Sequence, residues 1–321
     1  MNALTKNRQN SETLSKMVKL AFNGTEMKTA VELTDGSFNA AYLITIANGT
    51  ETVLKIAPPP GSLVTSSEKN IMFSEVDSMK MARQKTDVPV AEIFYYDNSC
   101  SIVSSEYFFM EKLRGKSLDT QVDFMSADEI AGIRETVGRY TARLNTITND
   151  KFGLYGQADK QGTCWYAVFR GIIGDTIKDA AALDIDLTVD TDLIFSLLEK
   201  DRHYFEDVTV PRFVHWDLWD GNVFVENGKV TGLIDFERCL WADELMELGF
   251  RAHRVNEHFL RGYGLGTFSE SQAVRSEWYD ISLFLCKLLE TDYRGYDNMD
   301  YHNDAAKRLA AYIDHVCTRQ K

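Results

Sequence analysis

Residues 213–237 constrain the fold most, because their turn signal and apolar runs define a β-hairpin with polar residues at one end. Two short apolar segments, residues 223–225 and 230–234, flank an Asn-Gly pair, the preferred centre of a tight hairpin turn. A tight turn fixes the register of its strands, so the residues just outside the hairpin lie at the same end. The pattern therefore predicts that Asn222 and Asp235 face one spot.

The polar residues of this stretch have a spacing suited to phosphoryl transfer. His215, Asp217 and Asn222 form H-x-D-x-x-x-x-N, and Asp235 lies in Ile-Asp-Phe-Glu. An amide oxygen and a carboxylate are hard ligands that suit Mg²⁺ bound to phosphates. Asp217 can then lie just beyond the metal and accept the proton of an attacking hydroxyl. Each residue alone also fits an ordinary structural role, as a core histidine, a turn residue or a strand-end cap, but their ordered spacing favours a phosphotransferase.

The two halves of the chain have different predicted secondary structure. Residues 28–57 indicate three antiparallel strands, residues 68–85 a helix, and residues 91–96 and 105–110 two more strands. Beyond residue 112 the pattern is mainly helical, beginning with a capping box at Ser126 to Glu129. We therefore predict an α+β protein with two lobes. The first, residues 1–111, holds a five-stranded antiparallel sheet plus a helix and binds nucleotide; the second, residues 112–321, is helical, catalytic and substrate-binding.

The first lobe carries the predicted nucleotide-binding residues. Gly36 and Ser37 lie between the first two strands, where small residues let backbone N–H groups approach phosphate. Lys55 is a charge in an apolar strand, and a buried lysine needs partners, which ATP phosphates and a carboxylate from the next helix would supply. We assign that carboxylate to Glu75, with Glu68 as the alternative. Lys55 could instead extend to solvent from an edge strand.

The connection between the lobes is predicted to border the nucleotide cleft. Adenine would bond there to the carbonyl of Glu111 and the N–H of Leu113. These bonds would involve main-chain groups, so the side chains at the two positions matter less.

The amino-acid composition limits which cellular compartment and which binding partners we expect. The chain has 35 Lys and Arg against 48 Asp and Glu, a net charge of −13, which argues against nucleic-acid binding and could favour a cationic substrate. Five scattered cysteines without CxxC spacing indicate neither a disulfide framework nor a zinc cluster. The polar N-terminus and the interrupted apolar stretches predict neither export nor membrane insertion, so we expect a cytoplasmic protein.

Taken together, these motifs resemble those of the aminoglycoside phosphotransferase and choline kinase superfamily, whose members share the protein-kinase fold. The resemblance runs from the Gly36 loop to the Ile-Asp-Phe-Glu motif and implies ATP and Mg²⁺ as cofactors. In the C-terminal lobe it implies that Asp217 is the catalytic base, that Asn222 and Asp235 bind Mg²⁺, and that His215 supports the catalytic loop. In the N-terminal lobe it implies that Lys55 binds the α- and β-phosphates and that Glu75 orients Lys55. It further implies a structural role for Asp243.

The chain also departs from the protein-kinase pattern. Trp216 replaces the arginine of His-Arg-Asp, no glycine follows Asp235-Phe236, and there is no Ala-Pro-Glu segment. We therefore predict a small-molecule kinase acting on a hydroxyl of an aminoglycoside-like, other sugar-like or amino-alcohol acceptor. A protein kinase and a nucleotide-binding pseudokinase or scaffold remain alternatives. Aromatic residues at 165–166 and 278–279 could contact the acceptor, but such residues more often belong to the core.

Overall fold

A computed structural model describes residues 5–34, 36, 38–251, 256–295 and 299–321. The prediction for Ser37 lies outside these residues. Within them, no helix has both the length and the apolar character required to cross a bilayer.

The N-terminal lobe is built on a five-stranded antiparallel sheet in the order β1-β2-β3-β5-β4. Side chains alternate between buried and partly exposed along its central strands, as period-two packing requires. One face packs against α1, through Leu14, Met17 and Val18, and the other contributes to the core that includes α2. The elements are α1 (Ser11–Ala21), β1 (Met27–Leu33), β2 (Ala40–Ile46), β3 (Glu51–Ile56), α2 (Ile71–Lys85), β4 (Ile93–Asp97) and β5 (Tyr107–Glu111).

The C-terminal lobe is mainly helical, with short strands that support one loop region. Its helices are α3 (Ala127–Leu144), α4 (Trp165–Ala182), α5 (Thr191–Lys200), α6 (Glu257–Tyr263), α7 (Glu270–Tyr293) and α8 (Asp300–Arg319). Its strands are β6 (Lys116–Ser117), β7 (Gly153–Leu154), β8 (Arg212–Val214), β9 (Val223–Glu226), β10 (Lys229–Leu233) and β11 (Leu240–Ala242). This architecture confirms the predicted α+β, two-lobed fold, whereas the exact boundary at residues 111 and 112 stays a prediction.

Local signals account for most element boundaries. Ser126 and Glu129 form the predicted capping box of α3, and the Asn227-Gly228 turn has positive φ at both residues, as a type I′ turn requires. α2 begins at Ile71 rather than at residue 68, so that prediction was too early. A 3-10 turn with its own capping box precedes the helix, and Asn70, with φ 57°, separates the two.

The crossing of α3 and α6 depends on a glycine. A methyl group at Gly138 would lie 2.1 Å from the Phe259 carbonyl oxygen and 2.9 Å from the Tyr263 nitrogen, both on α6. At Gly132, on the same helix, a methyl group would meet nothing within 4 Å.

Gly138→Ala is therefore expected to lower the free energy of unfolding by about 1–3 kcal/mol, because backbone atoms must move apart. Gly132→Ala should raise it by up to about 1 kcal/mol through the better helix propensity of alanine. Urea unfolding of both variants would test this, and equal effects would contradict the close helix contact.

Candidate active site

The catalytic loop predicted from the sequence follows β8 and is tied to the β9–β10 hairpin. His215 is buried, and its Nε2–H donates to the Ile234 carbonyl over 2.9 Å. The Asn222 side-chain amide donates to the main-chain carbonyl of Asp217 over 2.8 Å, and the Ile234 N–H donates to the Asn222 carbonyl over 3.1 Å. The hairpin therefore brings these residues to one end, and Asn222 directly supports the backbone of Asp217.

A buried carboxylate that the sequence analysis did not assign also holds this loop. Glu247 accepts hydrogen bonds from the N–H groups of His215 over 3.0 Å and Trp216 over 3.2 Å, both at Oε2. Its Oε1 accepts from the Leu248 N–H over 3.0 Å. Trp216 has φ 75°, a strained conformation for a bulky residue, so the loop requires such support.

Asp243 is buried and bonded to residues of α7, in agreement with the structural role expected from the resemblance. It accepts hydrogen bonds from the Arg275 Nε and the Tyr279 hydroxyl, each over 2.6 Å. The aromatic residues considered as acceptor contacts are buried in the same region: Trp165, Tyr166, Trp278 and Tyr279. Their burial favours the core interpretation.

Lys55 joins the two lobes. Its Nζ lies 2.5 Å from Glu75 Oε1 on α2 and 2.9 Å from Asp235 Oδ1, which follows the hairpin of the C-terminal lobe. Burial opposes the lysine charge, but Asp235 and Glu75 outweigh it and raise the pKa of Lys55. The pairing with Glu75 agrees with the first of the two sequence alternatives, and Lys55 does not extend to solvent from an edge strand, because β3 lies between β2 and β5.

Three carboxylates converge at this point. Oxygen atoms of Glu75, Asp235 and Glu237 lie within 4.8 Å of one another. Burial raises the pKa of Glu237 most and the Asp235 charge adds to it, while burial likewise raises the pKa of Glu75. Although burial opposes it, Lys55 holds the pKa of Asp235 below its ordinary value. Glu237 was not assigned from the sequence, although it is the second carboxylate of Ile-Asp-Phe-Glu.

This cluster fits a divalent cation. One lysine cannot balance three ionised carboxylates, and the raised pKa values of Glu75 and Glu237 show that their charged forms are disfavoured without a further cation. Their oxygen donors are those that Mg²⁺ prefers. Among the described residues, Glu75 Oε2 is buried without a hydrogen-bond partner. The Asn39 amide donates to Glu237 Oε2 over 3.0 Å, which also links the loop after β1 to the cluster.

Asp217 is partly buried beside a second group of charges. Burial raises the pKa of Asp217 to about 7, against the opposing effect of the Arg238 guanidinium. Arg238 forms an ion pair with Glu290 on α7, and its Cζ lies 5.2 Å from the centre of the Trp216 ring. A carboxylate with a pKa near neutrality can exchange a proton at physiological pH.

The structure describes three further residues of the predicted nucleotide site, Gly36, Glu111 and Leu113. A methyl group at Gly36 would meet nothing within 4 Å, so the backbone there is open to an approaching group. Glu111 ends β5, and β6, a few residues further on, pairs with β9 of the hairpin. Leu113 packs on Gly232, where a methyl group would lie 2.4 Å from Leu113 Cδ1. The interlobe connection is thus attached to the strands that carry the site.

A lysine-carboxylate pair in one lobe that meets a carboxylate-bearing hairpin of the other lobe is the arrangement of kinase-like phosphotransferases. Residues 29–276 match the family model of the phosphotransferase enzyme family. The chain belongs to this family, as the sequence resemblance predicted.

Individual proteins are similar to this chain over different lengths. A subtelomeric hrmA-associated cluster protein of Aspergillus fumigatus is 28% identical over 130 residues, 40% of this chain and 25% of that protein. An aminoglycoside 3'-phosphotransferase of Enterococcus faecalis is 30% identical over 73 residues, 23% of this chain and 28% of that protein. The chain thus spans about a quarter of the length of these curated relatives.

The fold is also similar to solved structures. A thermostable mutant of aminoglycoside phosphotransferase APH(4)-Ia, in a ternary complex with AMP-PNP and hygromycin B, has a TM-score of 0.68 and 18% identity. The similarity covers 95% of this chain and 98% of that one. At this identity the comparison shows the shared fold alone.

Proposed function

We propose that this protein is an ATP-dependent kinase that transfers the γ-phosphoryl group to a hydroxyl of a small molecule. The observation that carries the proposal is the pairing of Lys55 with two carboxylates, Glu75 of its own lobe and Asp235 of the other lobe. A lysine held in this way can bind the α- and β-phosphates of ATP. A structural similarity to a protein that binds AMP-PNP and hygromycin B supports ATP and an aminoglycoside-like acceptor.

In this proposal Asp217 is the catalytic base. The acceptor oxygen forms a bond to the γ-phosphorus, its proton passes to the Asp217 carboxylate, and ADP leaves with the electrons of the broken P–O bond. His215 and Asn222 hold the loop through their bonds to the Ile234 and Asp217 carbonyls. Their role is to fix the base at one position.

Asn222 and Asp235 are our proposed Mg²⁺ ligands, and the carboxylate cluster adds Glu237 as a candidate. When bound, the cation would neutralise phosphate charge during transfer. Gly36 and Ser37 would approach the phosphates, and the main-chain groups of Glu111 and Leu113 would bond to adenine. We also propose a cytoplasmic location. The five free cysteines are consistent with it, because the cytoplasm is a reducing compartment.

The acceptor class is proposed as aminoglycoside-like, another sugar-like compound or an amino alcohol. The experiment is ADP release from ATP with a panel of aminoglycosides, macrolides, choline, ethanolamine, homoserine and ketoamines, plus a generic protein substrate. Acceptor-stimulated, EDTA-sensitive release with a small molecule would support the proposal.

Each other outcome has a distinct meaning. Stimulation by the protein substrate alone would favour a protein kinase. ATP binding without turnover on any acceptor would favour the nucleotide-binding scaffold, and failure to bind Mg·ATP would reject the proposal.

A further inference from the structure

The C-terminal end of α7 reaches the loop between β1 and β2, called here the phosphate loop, whose described residues are 34, 36, 38 and 39. The Arg294 Cζ lies 5.3 Å from the centre of the Phe38 ring, a cation–π contact. Arg294 also forms an ion pair with Glu68, which precedes α2 in the N-terminal lobe. One side chain of the C-terminal lobe therefore contacts both the phosphate loop and the segment that leads into the helix of Glu75.

This contact is buried and well connected. The side chains of Arg294 and Glu68 are only 7% and 4% exposed. Glu68 also accepts hydrogen bonds from the Tyr293 hydroxyl, over 2.6 Å at Oε1, and from the Thr65 N–H, over 2.8 Å at Oε2. Removing one partner of such a pair leaves a buried charge uncompensated, so the geometry is strongly held.

Further ion pairs extend from Arg294 toward the proposed catalytic residues. Glu290 lies one turn before Arg294 on α7, with its Oε1 3.8 Å from the Arg294 guanidinium, and the same oxygen pairs with Arg238. Although burial opposes it, the two arginines hold the pKa of Glu290 below its ordinary value. The chain Arg238–Glu290–Arg294–Glu68 thus links the turn after Asp235 to the N-terminal lobe.

The phosphate loop has a second contact with the C-terminal lobe next to the first. Asn39 donates to Glu237 in the carboxylate cluster over 3.0 Å, and both Phe38 and Asn39 are buried. Adjacent loop residues are therefore fixed to two different parts of the same lobe. A methyl group at Gly36, in the same loop, would meet nothing within 4 Å.

We propose, building on the kinase function above, that Arg294 is a positioning residue that sets the phosphate loop over the triphosphate of ATP. It acts through Phe38 and Glu68 and does not itself touch ATP. The end of α7 then determines how tightly the phosphates are held, while adenine binding at the interlobe connection is independent of it.

The experiment measures the affinities of Mg·ATP and of adenosine by calorimetry for the wild type, Arg294→Gln and Phe38→Leu. Arg294→Gln should weaken Mg·ATP binding about tenfold, because the loop and Glu68 lose their partner. Phe38→Leu keeps an apolar side chain without the aromatic face, so a loss of about threefold is expected. Adenosine affinity should stay within about twofold in both. The matched control is Arg308→Gln, which removes an exposed ion pair with Asp304 on α8. It should leave the affinities of both Mg·ATP and adenosine unchanged.

Equal losses for adenosine and Mg·ATP would overturn the inference, because they would indicate a general loosening of the cleft. A folded Arg294→Gln protein with wild-type Mg·ATP affinity would also overturn it. If Arg294→Gln does not fold, the Mg·ATP affinity of Phe38→Leu tests the inference instead. An unchanged Mg·ATP affinity in that variant rejects the inference. A wild-type protein that binds no Mg·ATP would instead reject the kinase function and this inference with it.

Discussion

Asp217→Asn is expected to reduce acceptor-dependent ADP release about a thousandfold, because asparagine has nearly the shape of aspartate but cannot accept the proton of the acceptor. The substitution keeps the main-chain carbonyl of residue 217 that receives the Asn222 amide, so the loop should retain its conformation. Steady-state turnover, with Mg·ATP affinity measured separately, tests the expectation. Affinity should remain within about twofold of the wild type.

Asp220→Asn is the matched control. Asp220 lies in the same loop, but its carboxylate is partly exposed and pairs with Arg134 over 3.3 Å. An exposed pair contributes about 1 kcal/mol or less, so turnover should stay within about twofold. Turnover of Asp217→Asn equal to that of Asp220→Asn would show that Asp217 is not the base.

The sequence predicted the parts of the fold that have local causes. The Asn-Gly pair defined the turn at residues 227–228, and short apolar runs marked β2 and β3. The lysine in an apolar strand predicted a carboxylate partner from the next helix, and Glu75, the first of the two choices, pairs with it. In each case the signal comes from a few neighbouring residues.

Contacts between distant residues could not be predicted in this way. Glu68 was the alternative partner of Lys55, but it pairs with Arg294, 226 positions further along the chain. Nothing in the pattern around either residue indicates the other, because the pairing depends on how α7 packs against the N-terminal lobe. Glu237 differs, since its place in Ile-Asp-Phe-Glu, two residues after Asp235, was a signal that could have indicated it.

Trp216 shows how a departure from the protein-kinase motif is accommodated. Where His-Arg-Asp carries a cation, this loop carries an aromatic ring, and the ring contacts two cations instead. The Cζ atoms of Arg238 and Arg251 lie 5.2 and 5.5 Å from its centre. Cation–π contacts of desolvated arginines stabilise by up to about 2 kcal/mol each, which can offset the strain of a positive φ.

Glu247→Ala is expected to lower the free energy of unfolding by about 3 kcal/mol and to reduce turnover as well. The substitution leaves the buried N–H groups of His215 and Trp216 without their acceptor, and each unsatisfied group costs about 1–3 kcal/mol. It also removes the support of a strained residue next to Asp217, so the base would no longer be held in place. Urea unfolding and turnover of the same samples measure both effects.

Two further variants test whether the effect comes from the hydrogen bonds that Glu247 accepts or merely from the removal of a negative charge. Glu247→Gln retains one oxygen that can accept from His215 and Trp216, but its amide faces the Leu248 N–H, so the loss of stability should be about 1 kcal/mol. Glu244→Ala removes a nearby, partly exposed carboxylate paired with Arg212 and should cost less than about 1 kcal/mol. A Glu247→Ala protein as stable and active as Glu244→Ala would contradict the role of Glu247, because the loop would then hold its strained conformation without that carboxylate.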